Sequence, residues 1–190
     1  MVGLTRRRIG LVLVGAVAAV GVPGTAALAA PVESGTFVDV FTVEQEDFCE
    51  VPGLDVVVAG EFSARYRLYS RKGVLYGHQT SRLTRTVTNP DTGLSVTDTA
   101  VVLERDRTVT ENGDGTATVL IMATGNSTLS DSTGTALARD PGQLRFEILL
   151  DLGGTPLDPS DDVMLEFLGV VRESTGRSDD FCAAAVPAIT

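Results

Sequence analysis

The sequence predicts an all-β fold: a single antiparallel meander of about eight strands, with an up-and-down β-barrel as the expected form and a β-sandwich as the alternative. Three observations carry this. The stretch Leu54 to Tyr69 alternates, with Leu54, Val56, Val58, Gly60, Phe62, Ala64, Tyr66 and Leu68 on one side and Asp55, Glu61, Ser63, Arg65 and Arg67 on the other. A strand sends successive side chains to opposite faces, so this is one long strand with a core face and a wetter face. Clusters of Gly, Asn, Asp and Pro punctuate the chain at regular intervals, and no long apolar stripe of helical period appears between them.

In chain order, Arg6, Arg7 and Arg8 precede an apolar run from Ile9 to Val22 and the small-residue site Ala27-Leu28-Ala29. A charged segment, a short apolar run and an A-x-A site describe a secretory signal peptide over residues 1–29, leaving residues 30–190 as one secreted β-domain. The apolar run is shorter than the roughly 20 residues a membrane-spanning helix needs, so stable membrane insertion is not expected. Export by the general or the twin-arginine route is left open by the arginine triplet. Strands are expected over Thr36 to Val43, then Leu54 to Tyr69, with a bend at Gly60 where the side chain is missing. Ser70-Arg71-Lys72-Gly73 turns the chain into a third strand, Val74 to Thr88, and Asn89-Pro90-Asp91-Thr92-Gly93 turns it again. Leu94 to Val109 changes apolar phase near Thr99–Val101, which predicts a bulge there. Asn112-Gly113-Asp114-Gly115 is a hairpin signal leading into Thr116 to Thr124. After the turn at Asp131-Ser132-Thr133-Gly134, Gln143 to Leu152 alternates cleanly. A longer loop, Gly153 to Asp161, precedes the mostly apolar strand Val163 to Val171.

Cys49 and Cys182 are the chain's two cysteines, each preceded by an Asp-Phe pair. Outside the cytoplasm a lone pair forms a disulfide, and a loop of this length is stabilised by roughly 4–5 kcal/mol in the chain-entropy model. A reactive thiol would need an activating base and a cationic setting, and neither is visible. The ordered segments FCEVPGLDVVV, TNPDTGLS, TENGDGTATV and GTPLDPSDDVMLEFLGVVRESTGRSDDFC, from about Phe48 to Cys182, resemble a family of secreted actinobacterial-type β-proteins. The resemblance implies secretion and a single domain. It implies no activity, since none is assigned to that family.

Charge narrows the functional classes. The chain carries 15 basic and 25 acidic residues, for a net charge of −10; losing a leader with three arginines and no acid makes it −13. A charge of that size argues against nucleic acid or an anionic lipid surface as the main partner. Yet no acid occurs between Phe62 and Pro90, while Arg65, Arg67, Arg71, Lys72, Arg82 and Arg85, all three tyrosines and the sole histidine, His78, do. Paired as a hairpin, these segments bring Arg65, Arg67, Tyr69, Arg71, Lys72, Tyr76, His78 and Arg82 together as a candidate ligand-binding set, because Arg and Tyr supply planar hydrogen bonds and stacking area. The competing reading is that the charges pair across the sheet with Asp98, Glu104 and Asp106.

Catalytic signatures are absent. One histidine must serve any Ser-His-Asp arrangement, no G-x-S-x-G occurs, and no two of 25 acids stand out as a carboxylate pair. A three-His zinc site is excluded by count, and no cofactor is called for. The acidic runs Asn112–Gly115 and Asp158–Asp162 have oxygens but lack the full calcium-loop pattern, unless Asp179 and Asp180 fold back beside the second. The expected function is a secreted, non-catalytic binding module for a small or anionic ligand. A structural or cell-envelope interaction protein and an enzyme using a barrel pocket with His78 are the alternatives.

Overall fold

The computed structural model describes residues 32–155 and 157–190; the expected signal peptide lies outside them. The chain runs β1 (Glu33–Gln45), a short 3-10 turn (Phe48–Glu50), β2 (Val56–Arg71), β3 (Val74–Thr88), β4 (Ser95–Glu111), β5 (Thr116–Asp131), β6 (Ala136–Asp151), β7 (Val163–Arg172) and α1 (Phe181–Ile189). The strands form one sheet in sequence order, every neighbouring pair antiparallel. The expected meander is therefore present, with seven strands among the described residues where about eight were expected. Among the described residues the sheet does not close: β1 pairs with β2 and β7 with β6, and neither has a second neighbour. With seven antiparallel strands β1 and β7 run in the same direction, and the open sheet does not decide between the expected barrel and the alternative sandwich.

Tight turns set the register. β2 and β3 are joined by Lys72-Gly73, whose φ values of 54° and 82° make the two-residue left-handed turn that matches strand twist. At Gly60 a side chain would collide with the Thr84 carbonyl and the Arg85 side chain, so its absence lets β2 press against β3. The bulge in β4 falls at Arg107, between Asp106 and Thr108, and pairing runs unbroken through Thr99–Val101. The apolar phase change there arises because Val101 and Leu103 on one face and Ala100 and Val102 on the other are all partly covered. β6 extends back through Pro141, which lacks an N–H, where β7 does not flank it: pairing with β7 begins at Arg145. The chain after β7 lies beside that half of β6, with Asp179 N–H donating to the Arg139 carbonyl, and leads back to α1.

Every buried strand residue lies on one face, the inner face. α1 packs there against Val56, Val58, Val87, Val96, Leu129 and Ala138, joined by Phe48 and Leu54. Cys49 and Cys182, as expected, lie at disulfide distance, 2.10 Å between sulfurs, and Phe48 meets Phe181 edge-on at 6.3 Å beside them. Such a pair is consistent with an extracellular protein. No helix among the described residues is long and apolar enough to cross a membrane.

Candidate functional site

The register places the candidate residues on the opposite, outer face. Arg65, Arg67, Tyr69 and Arg71 project from β2, and Tyr76, His78 and Arg82 from β3, with Lys72 in the turn. Arg67 stands directly across from His78, and Tyr69 across from Tyr76, their rings stacked at 5.8 Å and 21°. Seven of the eight candidates thus share one surface, and the eighth caps it.

The cross-sheet pairing considered above holds for one arginine outside that set. Arg85 Nε donates to Asp98 at 3.0 Å and its guanidinium lies over the Phe181 ring at 5.4 Å, both on the inner face. Glu104 and Asp106 also point inward, because both are even-numbered positions of β4 ahead of its bulge, so the sheet itself separates them from Arg65, Arg67 and Arg82. Among the described residues the ion pairs are Arg85–Asp98 and Arg177–Asp179, leaving the outer arginines of the hairpin without a carboxylate partner.

His78 is half-buried between Arg67 and a residue the sequence did not single out, Arg105, which β4 sets on its other side. Burial, then Arg105, then Arg67 push its pKa below the usual imidazole value, so the ring is neutral at neutral pH. Its Nε2 is buried and has no hydrogen-bond partner in the protein. Neither of the two concavities described below includes His78, so no catalytic partner is placed beside it there.

The inner face offers a concavity of about 110 Å³ at the end remote from α1, walled by Leu68, Leu75, Val119 and Leu150 with Asp106 and Asp162. Small-molecule sites occupy roughly 300–1,000 Å³, so this one is too small, and its acids have the wrong sign for an anion. Burial pushes Asp106 up to about 6, assisted by Glu104 and opposed by the Gly77 N–H that its carboxylate accepts. Asp162 is likewise pushed up to about 6, by burial and then by Asp161, Asp158 and Asp151. An open depression beside the far end of β1 and β2 carries Glu44, Glu46 and Asp55, again acidic.

The acidic runs do not assemble. Asp114 accepts from Thr116 and Asp158 from the Ser160 N–H, each within its own turn. Asp179 holds Arg139 and Arg177, and Asp180 caps α1, so neither joins Asp158–Asp162. Among the described residues no group of three or more His, Cys, Asp or Glu is placed to hold a metal ion. No family model, curated protein or solved structure matches the chain.

Proposed function

We propose that the mature chain is a secreted, non-catalytic module that binds an anionic ligand on the outer face of the β2–β3 hairpin. The observation that carries this reading is the gathering of Arg65, Arg67, Arg82, His78 and the stacked Tyr69–Tyr76 pair on one surface with no carboxylate partner among the described residues. Unpaired guanidinium groups keep their donors free for an oxyanion, which they meet in a planar fork. Secretion is supported by the leader-like first 29 residues, the disulfide and the resemblance to secreted β-proteins.

The test is native mass spectrometry of the protein purified gently from its host's medium, followed by Arg65→Gln/Arg67→Gln. A carried anion that is lost or bound at least tenfold more weakly in the variant supports the reading, since each hydrogen bond to a charged group contributes about 1.5–3 kcal/mol. A ligand retained with unchanged affinity overturns it. A second reading, an envelope interaction protein, is favoured by β7, whose Val163, Met164, Leu165, Phe167, Leu168 and Val170 are each about half exposed on an unpaired edge.

A further inference from the structure

The hairpin cations belong to a longer line. Reading straight across the sheet, Arg67 on β2 faces His78 on β3, His78 faces Arg105 on β4, Arg105 faces Met122 on β5, Met122 faces Arg145 on β6, and Arg145 faces Arg172 on β7. Residues directly opposite in antiparallel strands put their side chains on the same face. Six strands therefore present Arg, His, Arg, Met, Arg and Arg in one row on the outer face. At about 4.8 Å per strand the row is roughly 24 Å long, with Arg67, Arg105 and Arg145 about 10 Å apart in turn.

Resting on the anion-binding reading, we infer that this row is a track for a linear polyanion, a chain of phosphate or sulfate esters laid across the strands. Three observations support an extended ligand over a single anion. Among the described residues, three buried side-chain N or O atoms lack a partner, and two of them, His78 Nε2 and Arg145 Nε, stand in this row at separate points. What these buried atoms show is that no protein acceptor holds either side chain at those points, which leaves the rest of the Arg145 guanidinium uncommitted. The flanking row on the α1 side is Arg65, Thr80, Leu103, Thr124 and Gln143, with no acid. The row on the other side contains Tyr69, Tyr76, Leu120 and one acid, Glu147. A short anion could use the hairpin, but it would leave Arg145 and Arg172, three and four strands beyond His78, without any role.

The row also couples binding to pH. His78 is faced by Arg65, Arg67 and Tyr69 from β2 and by Leu103 and Arg105 from β4, with Tyr76 and Thr80 on its own strand; no carboxylate is among them. An oxyanion seated there favours the imidazolium, so affinity rises as pH falls through the imidazole range.

The experiment titrates the oxidised, leader-free protein with tripolyphosphate, long-chain polyphosphate and dextran sulfate, using wild type, Arg67→Gln, Arg145→Gln and Arg172→Gln. The expected result is that a long chain binds at least tenfold more tightly than tripolyphosphate. Arg145→Gln and Arg172→Gln then each weaken the long chain by roughly tenfold or more, the scale of one charge-assisted contact, and leave tripolyphosphate unchanged. Arg67→Gln weakens both. Preference for polyphosphate assigns a phosphate ester and preference for dextran sulfate a sulfate ester, and either supports the track. If only Arg67→Gln has an effect, the track is wrong and the hairpin site stands alone. If no probe binds, both readings fail. Arg172 is exposed, so its variant keeps the test decisive should the half-buried Arg145 prove necessary for folding.

Discussion

Asp106 faces inward from β4, half-buried in the small concavity it lines with Leu68, Leu75 and Val109, where a carboxylate loses much of its water. Its folded pKa of about 6 exceeds the ordinary 3.8, so the folded state binds a proton more readily than the unfolded chain. Stability therefore rises as pH falls from 7 through 6, and the gain is complete near the ordinary carboxylate value. Asp162, also pushed to about 6, acts in the same sense. Below that, Asp114, Asp131, Asp158 and Asp179, whose pKa values are lowered by hydrogen bonds in their turns and loops, work in the opposite direction as they protonate. The melting temperature should peak at about pH 4–5 rather than at neutrality. Asp106→Asn keeps an acceptor for the Gly77 N–H and removes the charge. It should raise stability at pH 7 by about 1–2 kcal/mol, or ~3–6 °C in Tm, and flatten the slope between pH 5 and 7. Calorimetry of both proteins across that range checks it; an equal slope in the variant would place the pH dependence elsewhere.

At the scale of elements, α1 is the part that tertiary contacts make. Nine residues with Pro187 inside are too few to hold a helix in water, where roughly 12–15 are needed. Four attachments supply the difference. Asp180 accepts from the Ala183 N–H at 2.9 Å, Cys182 is tied to Cys49, and Ala185 and Ile189 are fully buried. The Ile189 carbonyl, left over at the C-terminus, accepts from Asn89 Nδ2 at 3.0 Å and Thr92 Oγ1 at 2.8 Å in the β3–β4 turn. Cys49→Ser/Cys182→Ser opens a link across 133 residues and should cost about 4–5 kcal/mol, lowering Tm by ~8–20 °C. Asn89→Ala removes one of the two donors to the Ile189 carbonyl and leaves Thr92 Oγ1, so it should cost about 0.5–1.5 kcal/mol. Hydrogen exchange should then find the α1 amides opening before those of β2–β5 in both variants, whereas uniform exchange would deny α1 its separate status. The same contrast explains what was readable beforehand. β2, β3 and their turn are written locally, in alternation and in Lys72-Gly73, so their span was legible within two residues. α1 has a local start signal in Asp180 and an alanine run, but nine residues holding Pro187 are too short to be read as a helix without the docking that stabilises them. The β4 bulge was misplaced because apolar residues on both faces blurred its phase.

Over the whole molecule, charge is segregated by register, which a linear reading reaches only in part. Arg67 and His78 sit around one short turn and could be paired from the sequence. Arg105, Arg145 and Arg172 join them only once four further registers, including shifts at Asp106/Thr108 and Arg145/Phe146, are fixed. This segregation has a consequence for binding. Residues 30–190 carry −13 overall, while the outer row presents four arginines. A polyanion far from the surface meets the first charge, and one in contact meets the second. Screening decides between them: the Debye length is about 30 Å at 0.01 M salt, about 8 Å at 0.15 M and about 3 Å at 1 M. At the lowest salt the whole acidic molecule repels the ligand. Near 0.15 M distant acids are screened while the row still acts, and at 1 M competing cations displace the contact as in ordinary polyelectrolyte binding. Long-chain polyphosphate affinity should therefore pass through a maximum at intermediate salt rather than fall steadily. Glu44→Gln/Glu46→Gln removes two exposed acids at the far end of β1 without touching the row. It should raise affinity and association rate at 0.01 M and leave both unchanged at 0.15 M and above. A steady fall from the lowest salt, identical in this variant, would mean that the row alone sets the field the ligand meets.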